Sequence, residues 1–137
     1  MEYLAIVTAL ILIEYLFFGL LVAKARTKTG VKAPAISGHP DFERCFRIQQ
    51  NTLEQLIITI PSLWIFGHFI SPLLASACGV LFIVGRAMYC RGYLQDADKR
   101  TAGFMVGQLG QMILLIGALL GPIIHLLGST SLLGSTP

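Results

Sequence analysis

Three polar residues at helical spacing stand just before a long apolar run. In "ERCFRIQQNTLEQL", Arg47, Asn51 and Glu54 occupy positions i, i+4 and i+7, so they share one face of a helix. The segment leads directly into "IITIPSLWIFGHFI", which suits a lipid interior. Because charged groups at that depth are unfavourable, they face a bundle interior, a partner or a water-filled cavity. The alternative is an ion pair of Arg47 with Glu54 or Glu43 that only fixes helix packing.

A second polar row lies in "RAMYCRGYLQDADKR", where Arg86, Tyr89 and Tyr93 stand at i, i+3 and i+7. Tyrosines are common at membrane interfaces, so either one alone would indicate little. Two polar rows from consecutive helices, meeting at the same membrane edge, indicate a binding site more strongly.

Arg100 follows Asp98, which we predict to be the N-cap of the next helix. The positive end of the helix dipole disfavours an arginine there unless an anion binds or a carboxylate such as Asp96 or Asp98 pairs with it. A thiol beside Arg100 and this helix end would be drawn toward the thiolate, which is a competent nucleophile.

These polar side chains together match a small zwitterionic peptide. Arginines hold carboxylates, a glutamate holds an ammonium group, and amides and hydroxyls hold amide groups. The candidate set is Arg26, Arg47, Gln49, Asn51, Glu54, Tyr89, Tyr93 and Arg100.

The composition identifies a membrane protein of one domain, residues 1–137. The chain is 55% hydrophobic and 12% charged, well below the charge of ordinary soluble domains. We predict an all-α, integral membrane four-helix bundle of left-handed up-down topology. The predicted helices are about 2–26, 42–70, 72–93 and 99–127, with apolar spans at Tyr3–Ala23, Thr52–Ile70, Leu73–Met88 and Ala102–Leu127. Asp41 is the predicted cap of the second helix, and Ser71 that of the third.

All ten Lys and Arg residues fall within 24–47 and 86–100. With four spans these segments lie on one side, which the positive-inside rule makes cytoplasmic, and both termini lie opposite. The bilayer accounts for this pattern, so nucleic acid is not an expected partner. Three cysteines without CxxC spacing are expected to be free thiols, and no metal is expected because the histidines and cysteines lack ligand spacing.

Glycines line one side of the fourth helix, within an arc of about 80°. Such a seam allows close helix packing, either within the chain or between subunits. Its members are Gly103, Gly107, Gly110, Gly117 and Gly121.

The motifs "FERCFRIQQNTLE" and "RAMYCRGYLQDADKR" resemble those of the MAPEG family, the membrane-associated proteins in eicosanoid and glutathione metabolism. The likeness in length, spans and motif order covers nearly the whole chain. It is greatest to the branch of microsomal glutathione transferases and leukotriene C synthases. The resemblance implies a homotrimer that binds glutathione as co-substrate between subunits near the cytoplasmic face, in a bacterial inner membrane or the endoplasmic reticulum.

The resemblance implies a role for each candidate residue, assigned by its position in the two motifs. Arg100 would be catalytic and stabilise the glutathione thiolate, while Arg26 and Gln49 would reach the site from the neighbouring subunit. The remaining ligands of glutathione would be Arg47, Asn51, Glu54, Tyr89 and Tyr93. Gln49 projects about 170° away from the row of Arg47, Asn51 and Glu54, which agrees with service to another subunit.

Two departures argue against leukotriene C synthesis: Thr27 replaces a second arginine and Gln55 replaces a tyrosine. Thr101 places a hydroxyl group next to Arg100, but such a common residue does not indicate an isomerase. The predicted function is a glutathione transferase with additional glutathione peroxidase activity, which acts on hydrophobic electrophiles or lipid hydroperoxides in detoxification. The alternatives are a non-catalytic lipid-binding scaffold of the same family and a small multidrug transporter that uses Glu14.

Overall fold

The computed structural model of the chain contains four long α-helices. These are α1 (Glu2–Thr29), α2 (Pro40–Phe69), α3 (Pro72–Gln95) and α4 (Arg100–Leu133), with a 3₁₀ turn at Ala97–Lys99 before α4. The structure describes the backbone of residues 1–133 and the side chains of residues 1–96 and 98–128. The C-terminus, predicted to share a side with the N-terminus, lies outside the described residues. The prediction of an all-α helical bundle is confirmed.

Three of these helices are long and apolar enough to cross a membrane: α1, α3 and the part of α4 up to Gly128. α2 does not reach the same hydropathy, although it is 30 residues long, because its first half carries several charges, the last of them Glu54, and its second half still contains His68. At 1.5 Å per residue α2 spans about 45 Å, which exceeds the roughly 30 Å hydrocarbon core. Its polar first turns therefore extend beyond the apolar part of the bundle.

Local sequence signals determine where the helices begin and end. Ser71 caps α3 as predicted, since its Oγ accepts a hydrogen bond of 3.3 Å from the Leu74 N–H. Two predicted caps are wrong by two residues. His39 caps α2, and its Nδ1 accepts from the Asp41 N–H at 3.2 Å.

Asp96 caps the 3₁₀ turn before α4, where its side chain accepts from the Asp98 N–H. The predicted cap, Asp98, lies inside this turn. Both corrections have the same cause. In each case helical structure begins before the aspartate that the prediction chose, at Pro40 in α2 and at Ala97 in the 3₁₀ turn before α4.

The second and third helices form the centre of the bundle. Both pack against α1 and α4, whereas within the described chain α1 and α4 do not contact each other. The core contains Leu4, Val7, Leu63, Ala75 and Leu114, all buried. The outer faces of α1 and α4 expose large apolar side chains, as expected for surfaces that meet lipid or another subunit.

The glycine seam of α4 packs within the chain. A Cβ on Gly85 of α3 would overlap the backbone of Gly107, and one on Gly103 would overlap the backbone of Tyr89. The close approach of α3 and α4 thus depends on small residues. A polar contact joins α4 to α2, where Gln111 donates to the Gln55 carbonyl and the Thr59 hydroxyl, both at 3.0 Å.

Candidate functional site

Six of the eight predicted site residues line one cavity, of about 280 Å³, between α2, α3 and α4. Up-down packing brings the beginning of α2, the end of α3 and the beginning of α4 to the same end of the bundle. The cavity is lined by Arg47, Gln50, Asn51, Glu54, Tyr89, Tyr93 and Arg100. Gln50 was not among the predicted residues. Its inclusion follows from helical geometry, since it lies one turn before Glu54.

Two further cavities adjoin this central cavity. One, of about 670 Å³, shares Arg47, Gln50 and Tyr93 with it and extends toward the loop between α1 and α2. The other, of about 350 Å³, shares Asn51, Tyr89 and Arg100 and continues along α4 past Thr101 and Phe104. We call the three together the polar groove. A ligand in it can therefore contact polar groups at its centre and an apolar helix face at one end.

The charges in the groove are open to a ligand. Arg47, Glu54 and Arg100 are all exposed, and within the described chain none has an oppositely charged partner within 4.0 Å. Neither the Arg47–Glu54 ion pair nor a pair of Arg100 with a neighbouring aspartate forms. Glu43, the other proposed partner of Arg47, accepts instead from the Gly38 N–H at 2.9 Å. The central cavity thus presents two arginines and one carboxylate that have no ion-pair partner within the described chain.

Aromatic rings pack against Arg100 and against each other. Its guanidinium carbon lies 4.9 Å from the centre of the Tyr93 ring. The Tyr93 and Tyr89 rings lie 5.7 Å apart, and the Tyr89 ring lies 6.5 Å from that of Phe104. A cation over a ring face is held by the ring quadrupole while the N–H edges of the guanidinium stay available. Arg100 can therefore bind an anion without losing this support.

Arg86 contacts residues of the central cavity without lining it, and the prediction included it in a row but not in the binding set. It is only 2% exposed, and its guanidinium bonds the Asn51 Oδ1 at 2.9 Å and the Thr52 Oγ1 at 2.7 and 3.2 Å. It also lies 4.3 Å from the centre of the Tyr89 ring. Because Arg86 occupies the Asn51 oxygen, the Asn51 amide is oriented so that its N–H groups remain for a ligand. The signal available in the sequence was its shared face with Tyr89.

The other two predicted residues, Arg26 and Gln49, do not line the polar groove. Arg26 donates to the carbonyls of Val31 and Ala35 at 3.2 and 2.9 Å and lies over the Phe42 ring. Gln49 donates to the Tyr15 hydroxyl of α1 at 3.1 Å. Within one chain, Arg26 and Gln49 are therefore separate from the six predicted residues that line the central cavity.

Glu14, the residue of the transporter alternative, is also separate from the groove. It is half-buried on the α1 side of α3, next to an apolar cavity that it shares with Phe17 and Phe18. Its Oε2 is buried and has no hydrogen-bond partner in the described chain. Arg86 interacts with it electrostatically, although the two do not form an ion pair within 4.0 Å. No group of His, Cys, Asp and Glu in the described residues could hold a metal ion.

The fold and these cavities define an integral membrane helical bundle with a polar site at one end. The model of the MAPEG family matches residues 4–120, and the chain belongs to this family. An uncharacterized Synechocystis protein is 47% identical over 116 residues, covering 85% of each chain. Human microsomal glutathione S-transferase 2 is 42% identical over 118 residues, covering 85% of this chain and 80% of its own length. Rat leukotriene C4 synthase is 34% identical over 127 residues, covering 93% and 85%. Two of these three relatives are named as enzymes, a glutathione S-transferase and a leukotriene C4 synthase.

Proposed function

We propose that this protein is a membrane-bound glutathione transferase with glutathione peroxidase activity. The observation that carries the proposal is the set of charges in the central cavity that have no ion-pair partner within the described residues, Arg47, Glu54 and Arg100, beside two tyrosines and an oriented asparagine. Glutathione has two carboxylates, one ammonium group, two amides and a thiol. Arginine, glutamate and amide side chains are the partners that these groups require.

The glutathione backbone binds in the centre of the polar groove. Arg47 holds a carboxylate, Glu54 holds the ammonium group, and the free N–H of Asn51 donates to a carbonyl. Tyr89 and Tyr93 provide hydroxyl groups along the α3 wall. Gln50 lies in the same wall as Arg47 and offers an additional amide contact.

A second subunit completes the site in a homotrimer. Arg26 and Gln49 do not line the polar groove of their own chain. Arg26 is part of α1 and Gln49 bonds to this helix, and α1 exposes large apolar residues such as Leu16 and Leu20. Contributed to the neighbouring groove, Arg26 supplies a second cation for the other carboxylate. This arrangement gives two carboxylates two dedicated arginines and leaves Arg100 for the sulfur.

Arg100 stabilises the glutathione thiolate. It is the first residue of α4, where the helix dipole adds to its own positive charge. Both effects lower the pKa of a nearby thiol from its ordinary value of about 8.5 and increase the thiolate fraction at neutral pH. In conjugation, the thiolate sulfur forms a bond to an electrophilic carbon while the leaving group departs with its electron pair.

In the peroxidase reaction, the thiolate attacks the terminal oxygen of a hydroperoxide and the O–O bond breaks. The lipid product takes a proton and leaves as an alcohol. The resulting sulfenic acid condenses with a second glutathione to give the disulfide and water. The hydrophobic substrate enters along α4, where the third cavity runs from Arg100 past Phe104. Holding both reactants in the groove lowers the entropic part of the barrier.

The site lies at the end of the bundle that carries the Lys and Arg residues, which the positive-inside rule assigns to the cytoplasm. Glutathione is a cytoplasmic thiol, so this orientation agrees with the proposed activity. The transporter alternative lacks comparable support, because Glu14 borders an apolar cavity and not a polar path.

The test is Arg100→Ala in detergent-purified protein, with Lys99→Ala as a control that removes an adjacent exposed charge. Conjugation is measured with a chlorodinitroarene and peroxidase activity with a lipid hydroperoxide. We expect Arg100→Ala to lower kcat at least about tenfold near neutral pH, because each unit of thiol pKa changes the thiolate fraction about tenfold. Glutathione binding by calorimetry should be largely retained. Wild-type protein that binds glutathione but is inactive in both assays would instead be the scaffold.

A further inference from the structure

A second pair of cavities lies on the other side of α3 from the central cavity. The first, of about 400 Å³, lies between the end of α1, the beginning of α2 and the end of α3. Lys24, Lys28 and Arg44 line it, and Asp41 is the one carboxylate among its lining residues. We call it the cationic pocket. It shares Arg44 with the largest cavity of the polar groove and no residue with the central cavity.

An apolar groove continues from the cationic pocket into the bundle. It has a volume of about 340 Å³, lies between α1 and α3, and shares Leu21 and Leu94 with the cationic pocket. Phe17 and Phe18 form its α1 wall, and Arg91 adds a cation at its edge. Glu14 borders the groove as well, but its Oε2 is buried inside the protein.

Five of the eight α1 residues that line the two cavities form a single row. Glu14, Phe17, Leu21, Lys24 and Lys28 fall within an arc of about 80° at 100° per residue. From Lys28 to Phe17 the row is about 16 Å long, close to the roughly 15 Å depth of one leaflet. The row therefore passes from cations at the membrane edge to apolar side chains at leaflet depth.

We propose that the cationic pocket and apolar groove bind an anionic phospholipid of the surrounding membrane. The phosphate lies against Lys24, Lys28 and Arg44, and one acyl chain lies along Phe17, Leu21 and Leu94. The two cavities have four cations and two carboxylates, so the net charge favours an anion. A free phosphate would use the cations alone, whereas a phospholipid uses both cavities, and their continuity favours the lipid.

This site is distinct from the proposed glutathione site. Arg26 projects about 160° from the mean direction of the α1 row, on the opposite side of the helix. A neighbouring subunit that receives Arg26 therefore contacts the other face of α1. The lipid-binding row remains available on the outer surface of the assembly.

The experiment is native mass spectrometry of the full chain, released from detergent with equal amounts of phosphatidylglycerol and phosphatidylcholine of identical acyl chains. The test variant is Lys24→Ala/Lys28→Ala. The matched control is Lys32→Ala/Lys99→Ala, which removes the same charge from exposed positions that line neither cavity. We expect wild type and control to retain phosphatidylglycerol preferentially. In the test variant the ratio of bound phosphatidylglycerol to bound phosphatidylcholine should fall roughly tenfold.

Three outcomes overturn the proposal. One is equal retention of the two lipids by wild type, and another is an equal loss of preference in both variants. The third is displacement of phosphatidylglycerol by glycerol phosphate at similar concentration, which would make the ligand a soluble phosphate. If the test variant does not fold, the salt dependence of wild type replaces it. The preference of wild type for phosphatidylglycerol must then decrease as the salt concentration is raised, because the contact is ionic. A preference that does not change with salt contradicts the proposal.

Discussion

Replacing Arg86 by lysine tests whether a buried cation orients the proposed glutathione site. Arg86 is 2% exposed and joins two α2 residues at once, Asn51 at 2.9 Å and Thr52 at 2.7 and 3.2 Å. Lysine retains the charge, so its electrostatic interaction with Glu14 survives. A single ammonium group does not reproduce the planar fork that bonds both partners, however. The substitution therefore separates the effect of geometry from that of charge.

The structure gives the size of the expected effect. A hydrogen bond to a charged group contributes about 1.5–3 kcal/mol, and a buried acceptor left without a donor costs about 1–3 kcal/mol. Loss of one of the two partners should therefore lower the free energy of unfolding by about 2 kcal/mol. We expect the bond to Asn51 to be the one that is lost, because Asn51 receives a single bond from Arg86 and Thr52 receives two, and the Asn51 amide is then free to rotate. The KM for glutathione should then rise about tenfold, which corresponds to about 1.4 kcal/mol of binding.

Thr52→Val is the matched control, because it removes the hydroxyl from the Arg86 contact and leaves the bond to Asn51. We expect it to lower thermal stability while the KM for glutathione stays near the wild-type value. Steady-state conjugation and thermal unfolding in detergent measure both quantities. A wild-type KM in Arg86→Lys, or an equal increase in KM in both variants, would refute the positioning role of Arg86.

Three further predictions concern other parts of the molecule. Gly103→Ala places a methyl group against the Tyr89 backbone, so it should destabilise the protein by about 1–3 kcal/mol in thermal unfolding and weaken glutathione binding. The control is Gly19→Ala, which should do neither because a Cβ at Gly19 has no neighbouring atom within 4 Å. Glu14→Gln should retain kcat/KM within about threefold, because Glu14 lies outside the polar groove, and loss of activity there would contradict our site. A single cysteine at Lys32, in a chain without native cysteines, should react with an impermeant thiol reagent only from the cytoplasmic side, and labelling from the other side would reverse the proposed orientation.

The amino-acid sequence determined the class of structure and most of the central cavity. Bilayer thickness imposes a length on apolar runs, so a count of hydrophobic residues located α1, α3 and α4. Helical periodicity then placed Arg47, Asn51 and Glu54 on one face. Up-down topology brings the ends of consecutive helices together, and for that reason the row containing Tyr89 was expected to meet them.

Only the tertiary structure decided which polar residues face each other across helices. Periodicity orients a side chain about its own helix axis but does not say which neighbour it reaches, so the contact of Arg86 with Asn51 was not predictable. The same reason left the glycine seam open between two interpretations, until the backbone of Gly107 was found against Gly85. Periodicity also does not give the distance between two charged groups. Within the described chain Arg47 and Glu54 do not approach within 4.0 Å, so both charges remain for a ligand.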